Sequence, residues 1–405
     1  MSPVLIAAGC LAGAPVSAPA WAADDAADFE VDFTGNIEAE ARHFFQDSVP
    51  PGPSRHNASL AGEAKLHIYW NDGDSILTIS PFARVDGVDG RRSHFDLREA
   101  KWVGVFDPFE IRIGIDKVFW GVTESVHLVD IINQDDALED IDAEDKLGQP
   151  MVAITYDAGV GQLTGYFLPW FRERRFPGAD GRPAGPLVVD RSQTRFQSGR
   201  NNWHADWALR WSQYIGDFDL AVSYFSGTAR DPRFALGLGA AGEPVLVPRY
   251  DLIDQAGLEL QGTFGALLVK GEAIYQWNDQ DDFFAFAGGF EYSFYGLGDG
   301  ASDIGVLAEI LYDDRGSNAG NPFEGDLFLG ARWSANDVSG TTILAGGIFD
   351  LNSSSKLANI EASRRLGDDW KITLDIRLFL DVAPADPLQP FADDDFFQLR
   401  IARFF

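Results

Sequence analysis

Charged side chains of both signs recur at every second position along many segments of this chain. Side chains spaced in this way project from one face of a β-strand. If that face lines a water-filled channel, its charges set ion selectivity; if not, they pair across strands and stabilise the sheet. Both interpretations stay open for the residues that carry the pattern, namely Glu38, Glu40, Arg42, Lys65, Arg112, Asp116, Asp206, Arg210, Lys270, Glu272, Arg332, Arg377 and Arg400.

A strongly acidic segment spans residues 121–149, with nine Asp or Glu residues and one lysine, a net charge of −8. It also carries apolar residues such as Val129 and Ile131, which a solvated tail would not need. This mixture predicts a loop that folds against a protein wall and narrows a lumen. The candidate constriction residues are Asp130, Asn133, Asp135, Asp136, Glu139 and Asp140. Two alternatives remain open: the acids bind divalent cations, or they are solvated outside the protein.

A basic segment, residues 172–200, follows the acidic one and holds seven arginines against three acids, a net charge of +4. We expect the two segments to face each other and to form a constriction with a transverse electric field.

Catalytic spacings are missing from the sequence, although six histidines are present. There is no HExxH pair for a zinc hydrolase and no G-x-S-x-G turn around a nucleophilic serine. A Ser–His pair assembled by the fold stays open. The sequence predicts no enzyme and no cofactor, and it leaves metal binding unknown.

The elements that position these residues are predicted to be β-strands, because apolar and polar residues alternate along nearly the whole chain after residue 28. The segments have the length of membrane-crossing strands. We expect eighteen strands, with a bulge near Arg98 and Glu99, at 29–44, 58–70, 75–86, 94–105, 108–119, 150–157, 162–171, 202–214, 218–228, 250–263, 266–277, 283–295, 302–313, 324–335, 340–350, 356–366, 370–381 and 395–405.

The connections between these strands alternate between short turns and longer loops, notably 120–149, 172–201, 229–249 and 382–394. Short periplasmic turns and long extracellular loops are typical of outer-membrane barrels. The fold class is therefore an all-β, transmembrane, antiparallel up-and-down β-barrel. Aromatic pairs at strand ends, such as Trp120 after Phe119 and Phe171 after Trp170, are expected at the membrane interfaces. A barrel this wide cannot be filled by its wall side chains, so water or an inserted segment must occupy it.

Composition excludes several classes of protein. The net charge of −30 over 405 residues argues against nucleic-acid binding, which needs a basic surface. A hydrophobic content of 45% and an aromatic content of 13% are too high for a disordered chain. No apolar run reaches the roughly 20 residues that a spanning helix requires.

The first 22 residues are predicted to be a secretory signal peptide, and the barrel is predicted to span 23–405. Residues 3–20 are small and apolar, and Ala20-Trp21-Ala22 is an A-x-A cleavage site. The basic start typical of a signal peptide is missing, so the true start of the chain is left open. Cleavage after Ala22 would leave no cysteine, because Cys10 is the chain's single cysteine.

The final segment, 395–405, ends on Phe405 and resembles the C-terminal insertion signal of Gram-negative outer-membrane β-barrels, although Arg403 departs from that pattern. The runs LREA (97–100), GIDKVFWG (114–121), DIINQ (130–134) and EDKLGQP (144–150) resemble a porin-like family whose substrates are mostly unassigned.

The resemblance implies a location in the bacterial outer membrane, surrounded by lipid and lipopolysaccharide. It also implies insertion by the barrel-assembly machinery through the strand that ends at Phe405. The expected function is passive diffusion of small hydrophilic solutes or ions. A substrate-specific channel for an apolar compound or a polysaccharide is the alternative, and a barrel enzyme is less favoured. The sequence leaves the oligomeric state open.

Overall fold

The computed structural model describes residues 29–48, 52–319 and 321–405, so the predicted signal peptide at 1–22 lies outside the described residues. Within these ranges the chain forms the strands β1 Glu30–Phe44, β2 His56–Trp70, β3 Ser75–Asp86, β4 His94–Phe106, β5 Phe109–Asp116, β6 Gln149–Asp157, β7 Gln162–Leu168, β8 Arg195–Phe196, β9 Asp206–Ile215, β10 Phe218–Thr228, β11 Arg233–Leu238, β12 Pro244–Tyr250, β13 Leu252–Phe264, β14 Leu267–Trp277, β15 Asp282–Gly296, β16 Ser302–Asp313, β17 Gly325–Ser334, β18 Thr342–Asp350, β19 Lys356–Leu366, β20 Trp370–Leu380 and β21 Phe396–Phe404.

Helical structure is confined to the short α-helix Leu297–Gly300 and to single 3-10 turns at Asn71–Gly73, Arg191–Gln193, Asn201–Trp203, Gly316–Asn318 and Gln389–Phe391, as far as the described residues go. No helix within these residues is long and apolar enough to cross a membrane.

All strands except β8, β11 and β12 form one antiparallel sheet, which has 18 strands within the described residues. The sheet closes because β1 pairs with β21, with Glu40 opposite Arg400. Phe405 extends this pairing: its backbone N–H donates to the carbonyl of Gly35 at 3.0 Å and its carbonyl accepts from Gly35 at 2.9 Å. A closed barrel pairs its wall backbone groups internally and leaves no exposed edge. The predicted fold class is confirmed.

The outer and inner faces of the wall alternate as the sequence pattern predicts. On β1, Val31, Phe33 and Ile37 are 49–60% exposed, whereas Glu40 and Arg42 on the alternate positions are each 5% exposed. An apolar outer face and a charged inner face are typical of a barrel that crosses a lipid bilayer.

The predicted bulge in β4 is confirmed. Ser80 on β3 pairs with Glu99, but the next residue, Pro81, pairs with Leu97, so Arg98 has no partner across the strand pair. An extra residue of this kind bends the strand and redirects its side chains. Here it directs Arg98 toward Glu63 on β2, with Nη1 2.9 Å from Oε2.

Three predicted strand boundaries are wrong by three or more residues: the eighth strand of the wall begins later than predicted, and the fifth and seventh end earlier, the seventh at Leu168 and not at residue 171. The prediction placed 202–214 in one strand, but β9 begins only at Asp206, and Trp203 lies in a 3-10 turn with 71% of its surface exposed. The prediction also continued the fifth strand to residue 119, whereas β5 ends at Asp116. After Asp116 the backbone no longer pairs with the neighbouring strand, because side chains inside the barrel accept its hydrogen bonds at Val118 and Trp120.

Part of the long connections forms a second, three-stranded sheet, which the sequence analysis treated as loops. β11 and β12 form an antiparallel hairpin, and β8 joins β12 in parallel through Arg195 and Phe196. Tyr250, at the end of β12, is 1% exposed and packs against Phe171 with ring centroids 4.8 Å apart. Phe171 is therefore buried beneath this sheet, and its predicted place at the membrane interface is wrong.

Candidate functional site

Residues 117–148, which connect β5 to β6, lie against side chains of the inner face of the wall; we call them the inner segment. Asn133 joins its two ends. The side-chain Oδ1 accepts from the N–H of Val118 at 2.9 Å, and Nδ2 donates to the carbonyls of Asp116 at 2.8 Å and Leu147 at 2.9 Å. Asn133 is 3% exposed, so these bonds satisfy backbone groups that have little access to water.

Asp130 and Asp135 also bind within the inner segment. The carboxylate of Asp130 accepts from the backbone N–H of Trp120 at 2.7 Å and of Gly121 at 3.1 Å. Lys146 lies 2.7 Å from Asp135 and 3.7 Å from Asp130. These contacts bring distant parts of the segment together, so both acids fix its shape.

The first half of the inner segment is bound to the wall by carboxylates on β14 and β16. Glu272 accepts from the N–H of Val122 at 2.6 Å and of Thr123 at 2.9 Å. Glu309 accepts from the N–H of Glu124 at 2.8 Å and of Ser125 at 2.9 Å. The acceptors in each case are carboxylates and the donors are backbone amides, a charge-assisted arrangement.

Glu124 extends this attachment to the neighbouring strands. Its carboxylate lies 3.6 Å from Lys270 on β14 and 2.7 Å from Arg332 on β17. Both cations were predicted pore-lining residues, and the structure places them next to the inner segment.

The second half of the inner segment is bound by arginines that project from β1, β3 and β4 or precede β4. Glu139 lies 2.6 Å from Arg84 and 3.7 Å from Arg98. The carbonyl of Glu139 accepts from Arg42 at 2.7 Å, and that of Leu138 accepts from Arg92 at 2.8 Å.

Glu40 balances part of this positive charge, because it lies 2.6 Å from Arg92, 3.2 Å from Arg42 and 3.3 Å from Arg84. Glu38 adds a further carboxylate 3.5 Å from Arg84. Buried charges of this kind require partners, since an unpaired one would lose its hydration without compensation.

Arg377 on β20 binds the inner segment from another side of the wall. It lies 2.6 Å from Asp140 and 3.1 Å from Asp142. Burial opposes ionisation of Asp140, but the Arg377 and Arg42 guanidiniums outweigh it and lower the pKa of Asp140. The carboxylate of Asp140 is therefore charged at neutral pH.

The remaining predicted pore-lining residues pair with other residues of the wall, except Asp206, whose partner Arg230 lies in the connection after β10. Their contacts are Lys65 with Glu99 at 3.2 Å, Arg112 with Asp116 at 3.2 Å, Asp206 with Arg230 at 3.0 Å, Arg210 with Glu259, and Arg400 with Asp375 at 2.7 Å. Such pairs fit the interpretation in which wall charges stabilise the barrel.

The basic segment at 172–200 meets the acidic one at few places. Arg174 lies 2.7 Å from Asp135, and Arg172 donates to the carbonyl of Gly148 at 2.9 Å. Glu139, Asp140 and Asp142 instead face arginines of the wall. The cations opposite most of the acidic face thus come from the barrel strands, and not from the second loop as we expected.

Apolar residues of the inner segment pack on one part of the wall. Val129, Ile131 and Ile132 are 0%, 7% and 1% exposed and belong to a cluster with Tyr166, Phe225 and other inner-face residues. Trp120 joins this cluster, 5.6 Å from the ring of Tyr166, so its predicted place at the membrane interface is wrong. The apolar half of the inner segment fills this side of the lumen.

The other side of the inner segment borders a cavity of about 1250 Å³. One part of its lining is apolar and includes Leu311, Phe328 and Ile348, which belong to a second buried cluster. The lining also has a polar part, which includes Asp142, Glu144, Glu361, Arg377 and Arg400.

Comparisons with known proteins support the same architecture. Wzi of Escherichia coli, described as an outer-membrane protein involved in group 1 capsule assembly and a carbohydrate-binding β-barrel, matches with a TM-score of 0.52 and 10% identity, over 92% of this chain and 84% of that one. Solved structures of Salmonella typhi OmpF (TM-score 0.47, 9% identity, 93% and 97% covered) and Pseudomonas putida OprB (0.46, 11%, 93% and 94%) are also similar. The likeness to Wzi extends over most of both chains and supports the closed β-barrel fold. No protein-family model matches its sequence, and a search of curated proteins finds no match.

Several residues that bind the inner segment of this barrel were missed by the sequence analysis. The period of two residues could have placed Arg84 and Glu309 on the inner face. Arg84 lies two positions after the buried Phe82, and Glu309 lies two positions from both Leu307 and Leu311. Arg92 and Arg230 lie in connections without a periodic pattern. Arg230 is 4% exposed and donates to the carbonyl of Ile132 at 3.0 Å, a contact that only the folded chain reveals.

Proposed function

We propose that this protein is a channel of the bacterial outer membrane, through which small hydrophilic solutes or ions diffuse passively and whose lumen is narrowed by residues 117–148. The observation that carries this proposal is the attachment of the inner segment to inner-face side chains of well-separated strands, from Arg42 and Arg84 on β1 and β3 to Glu309 on β16. A segment held on several sides cannot leave the lumen without breaking these contacts together.

Passage would follow the cavity beside the inner segment. Its volume of about 1250 Å³ accommodates a small solute, and charges of both signs line its polar part. Charged residues that face water in a narrow passage determine which ions cross. Arg377 and Arg400 on the wall, together with Asp142 and Glu144 on the inner segment, are the proposed selectivity residues.

The apolar outer face supports insertion in a lipid bilayer, where lipopolysaccharide would surround the outer rim. The end of β21 supports recognition by the barrel-assembly machinery, because Phe405 is 57% exposed and lies 6.2 Å from the ring of Phe33 on the outer face. Both partners are part of the proposal.

Single-channel conductance in planar bilayers tests the proposal. Deletion of residues 135–146 removes the acidic half of the inner segment and is expected to raise the conductance. An unchanged conductance in a correctly inserted barrel would contradict a constriction at this place.

A point substitution tests the same site without shortening the chain. Arg377→Gln removes a cation from the cavity and is expected to shift permeability toward cations. Arg364→Gln is the matched control, because Arg364 is half exposed and pairs at 3.3 Å with Asp337 in a connection between strands. The same shift in both variants would remove the support for a selective site at Arg377.

A substrate-specific channel is the second candidate, and the apolar strip of Leu311, Phe328 and Ile348 favours it. A solute with an apolar part would lose contact with water along this strip and gain binding energy. Saturable conductance that one solute blocks would support this candidate. A large conductance without saturation would support general diffusion.

A further inference from the structure

Three potential metal ligands meet where the inner segment touches the start of β4. One ligand atom each from His94, Asp136 and Glu139 lies within 4.8 Å of the other two. His94 is the first residue of β4, and Asp136 and Glu139 lie in one turn of the inner segment, in which the N–H of Glu139 donates to the carbonyl of Asp136 at 3.0 Å.

The tautomer of His94 is set by its neighbour. Nδ1 lies 2.7 Å from the carbonyl oxygen of Arg92, which can only accept, so Nδ1 carries the proton. The lone pair of the neutral ring is then on Nε2. Metal-binding histidines have this arrangement, in which the second nitrogen donates to a carbonyl and fixes the orientation of the ring.

Two atoms at this place are buried and have no hydrogen-bond partner among the described residues: Nε2 of His94 and Oδ1 of Asp136. Asp136 is 2% exposed, so water cannot readily replace the missing partner. A buried polar atom without a partner costs free energy, and a bound ion is one of the ordinary ways in which such an atom is satisfied.

The charges around the three residues do not exclude a cation. Arg84 donates to both carboxylate oxygens of Glu139, and each oxygen keeps a second lone pair for a further partner. Arg84 also lies 3.3 Å from Glu40, and Arg98, 3.7 Å from Glu139, lies 2.9 Å from Glu63. Their positive charge is therefore shared with other carboxylates. A cavity of about 470 Å³ borders His94 and Leu138, and its lining carries three arginines, Arg91, Arg175 and Arg191, beside Asp190.

We propose that His94, Asp136 and Glu139 bind a divalent transition-metal ion of the Zn²⁺ class. One imidazole nitrogen and two carboxylate oxygens suit Zn²⁺, with water completing a tetrahedron. Imidazole is a poor ligand for Mg²⁺ and Ca²⁺, which prefer oxygen. The bound ion would join β4 directly to the acidic half of the inner segment and hold that half in the lumen.

Titration calorimetry of the full-length protein in detergent micelles with Zn²⁺ tests this site. The wild type is expected to bind one ion with a dissociation constant in the micromolar range or below. His94→Ala and Asp136→Asn should each weaken binding by about tenfold or more, since even the loss of an outer-shell partner weakens metal sites by 10–100-fold. Co²⁺ gives a second readout, because its visible absorption reports tetrahedral ligands and should be lost in both variants.

The control variant is His56→Ala. His43 and His56 stack with their Nδ1 atoms 3.0 Å apart, so this pair of imidazoles is a second place where Zn²⁺ could be bound. His56→Ala should bind Zn²⁺ as the wild type does. Wild-type protein that binds no ion overturns the proposal, as does binding that survives both His94→Ala and Asp136→Asn or that is lost in His56→Ala.

Asp136→Asn retains the size of the side chain, and a folded barrel can be verified by its heat-dependent migration in gels. If Asp136→Asn fails to fold, His94→Gln, which changes a half-buried residue of the wall, decides the question by the same two measurements.

Discussion

The two halves of the inner segment are held in the lumen by different forces. Residues 118–132 are largely apolar, pack on Tyr166 and Phe225, and give their backbone amides to Glu272 and Glu309. Residues 135–146 are acidic and are held by buried ion pairs with Arg84 and Arg377. Apolar burial is non-directional, whereas a buried ion pair depends on both of its partners. The first half should therefore stay packed against the wall when a single side chain is changed. The second half should detach from the wall when one of its arginine partners is substituted.

The largest loss in the free energy of unfolding is expected on substitution of the arginines that bind the acidic half. Arg84→Ala removes the nearest cation of Glu139 and leaves Arg98 at 3.7 Å, and the loss of one partner of a buried pair costs about 3–5 kcal/mol. Urea unfolding in lipid vesicles should show this loss, and protease should gain access to residues 135–146. Arg364→Ala is the matched control, because its pair with Asp337 is exposed and worth at most about 1 kcal/mol. Equal losses in the two variants would contradict the proposed difference between the halves.

A somewhat smaller effect is expected in the apolar half. Ile132 is 1% exposed, and Ile132→Ala should cost about 2–5 kcal/mol through lost burial and the cavity left behind. This loss should change little with the concentration of NaCl, because ionic screening acts on charges and Ile132 carries none. Ile310→Ala on the lipid-facing side of β16, where Ile310 is 56% exposed, controls for the change of residue type. A strong salt dependence for Ile132→Ala would show that this half is not held mainly by apolar contacts.

The sequence could predict the wall far better than the contacts inside it. The predicted strands 75–86, 218–228 and 356–366 coincide with β3, β10 and β19. They could be predicted because apolar and polar residues alternate along any strand that is buried on one face, and this pattern is visible in a short stretch of sequence. β8, with two residues, is too short to show a period.

The candidate site depends on contacts between residues that are distant in sequence. Glu139 and Arg84 are 55 positions apart, and nothing near either residue specifies the other. Asp130 and Asn133 were predicted as constriction residues from their types and position. Their hydrogen bonds to the backbone at Trp120 and Val118 could not be predicted, because they depend on the path of the chain after Asp116.

The smallest loss in the free energy of unfolding is expected on substitution of His127. This residue of the first half contacts Glu144 of the second half, so it tests the contact between the halves. Burial opposes its charged form, but the carboxylates of Glu144 and Glu272 outweigh burial and raise the pKa of His127 from 6.5 to about 10. Because the folded pKa is the higher one, the stabilisation is fully present below pH 6.5 and is lost as the pH rises through about 10. At the acid end it persists until Glu144, whose pKa His127 lowers, takes up a proton.

His127→Gln should therefore cost about 1 kcal/mol near pH 6, a modest value because Glu144 is largely exposed. The free energies of unfolding of the variant and the wild type should converge above pH 10. His67→Gln, on the wall strand β2 and bonded to Thr78 at 2.9 Å, serves as the control for loss of an imidazole. A difference between His127→Gln and the wild type that grows with rising pH would mean that His127 is neutral in the folded protein, and the inner segment would then lack this charged link between its halves.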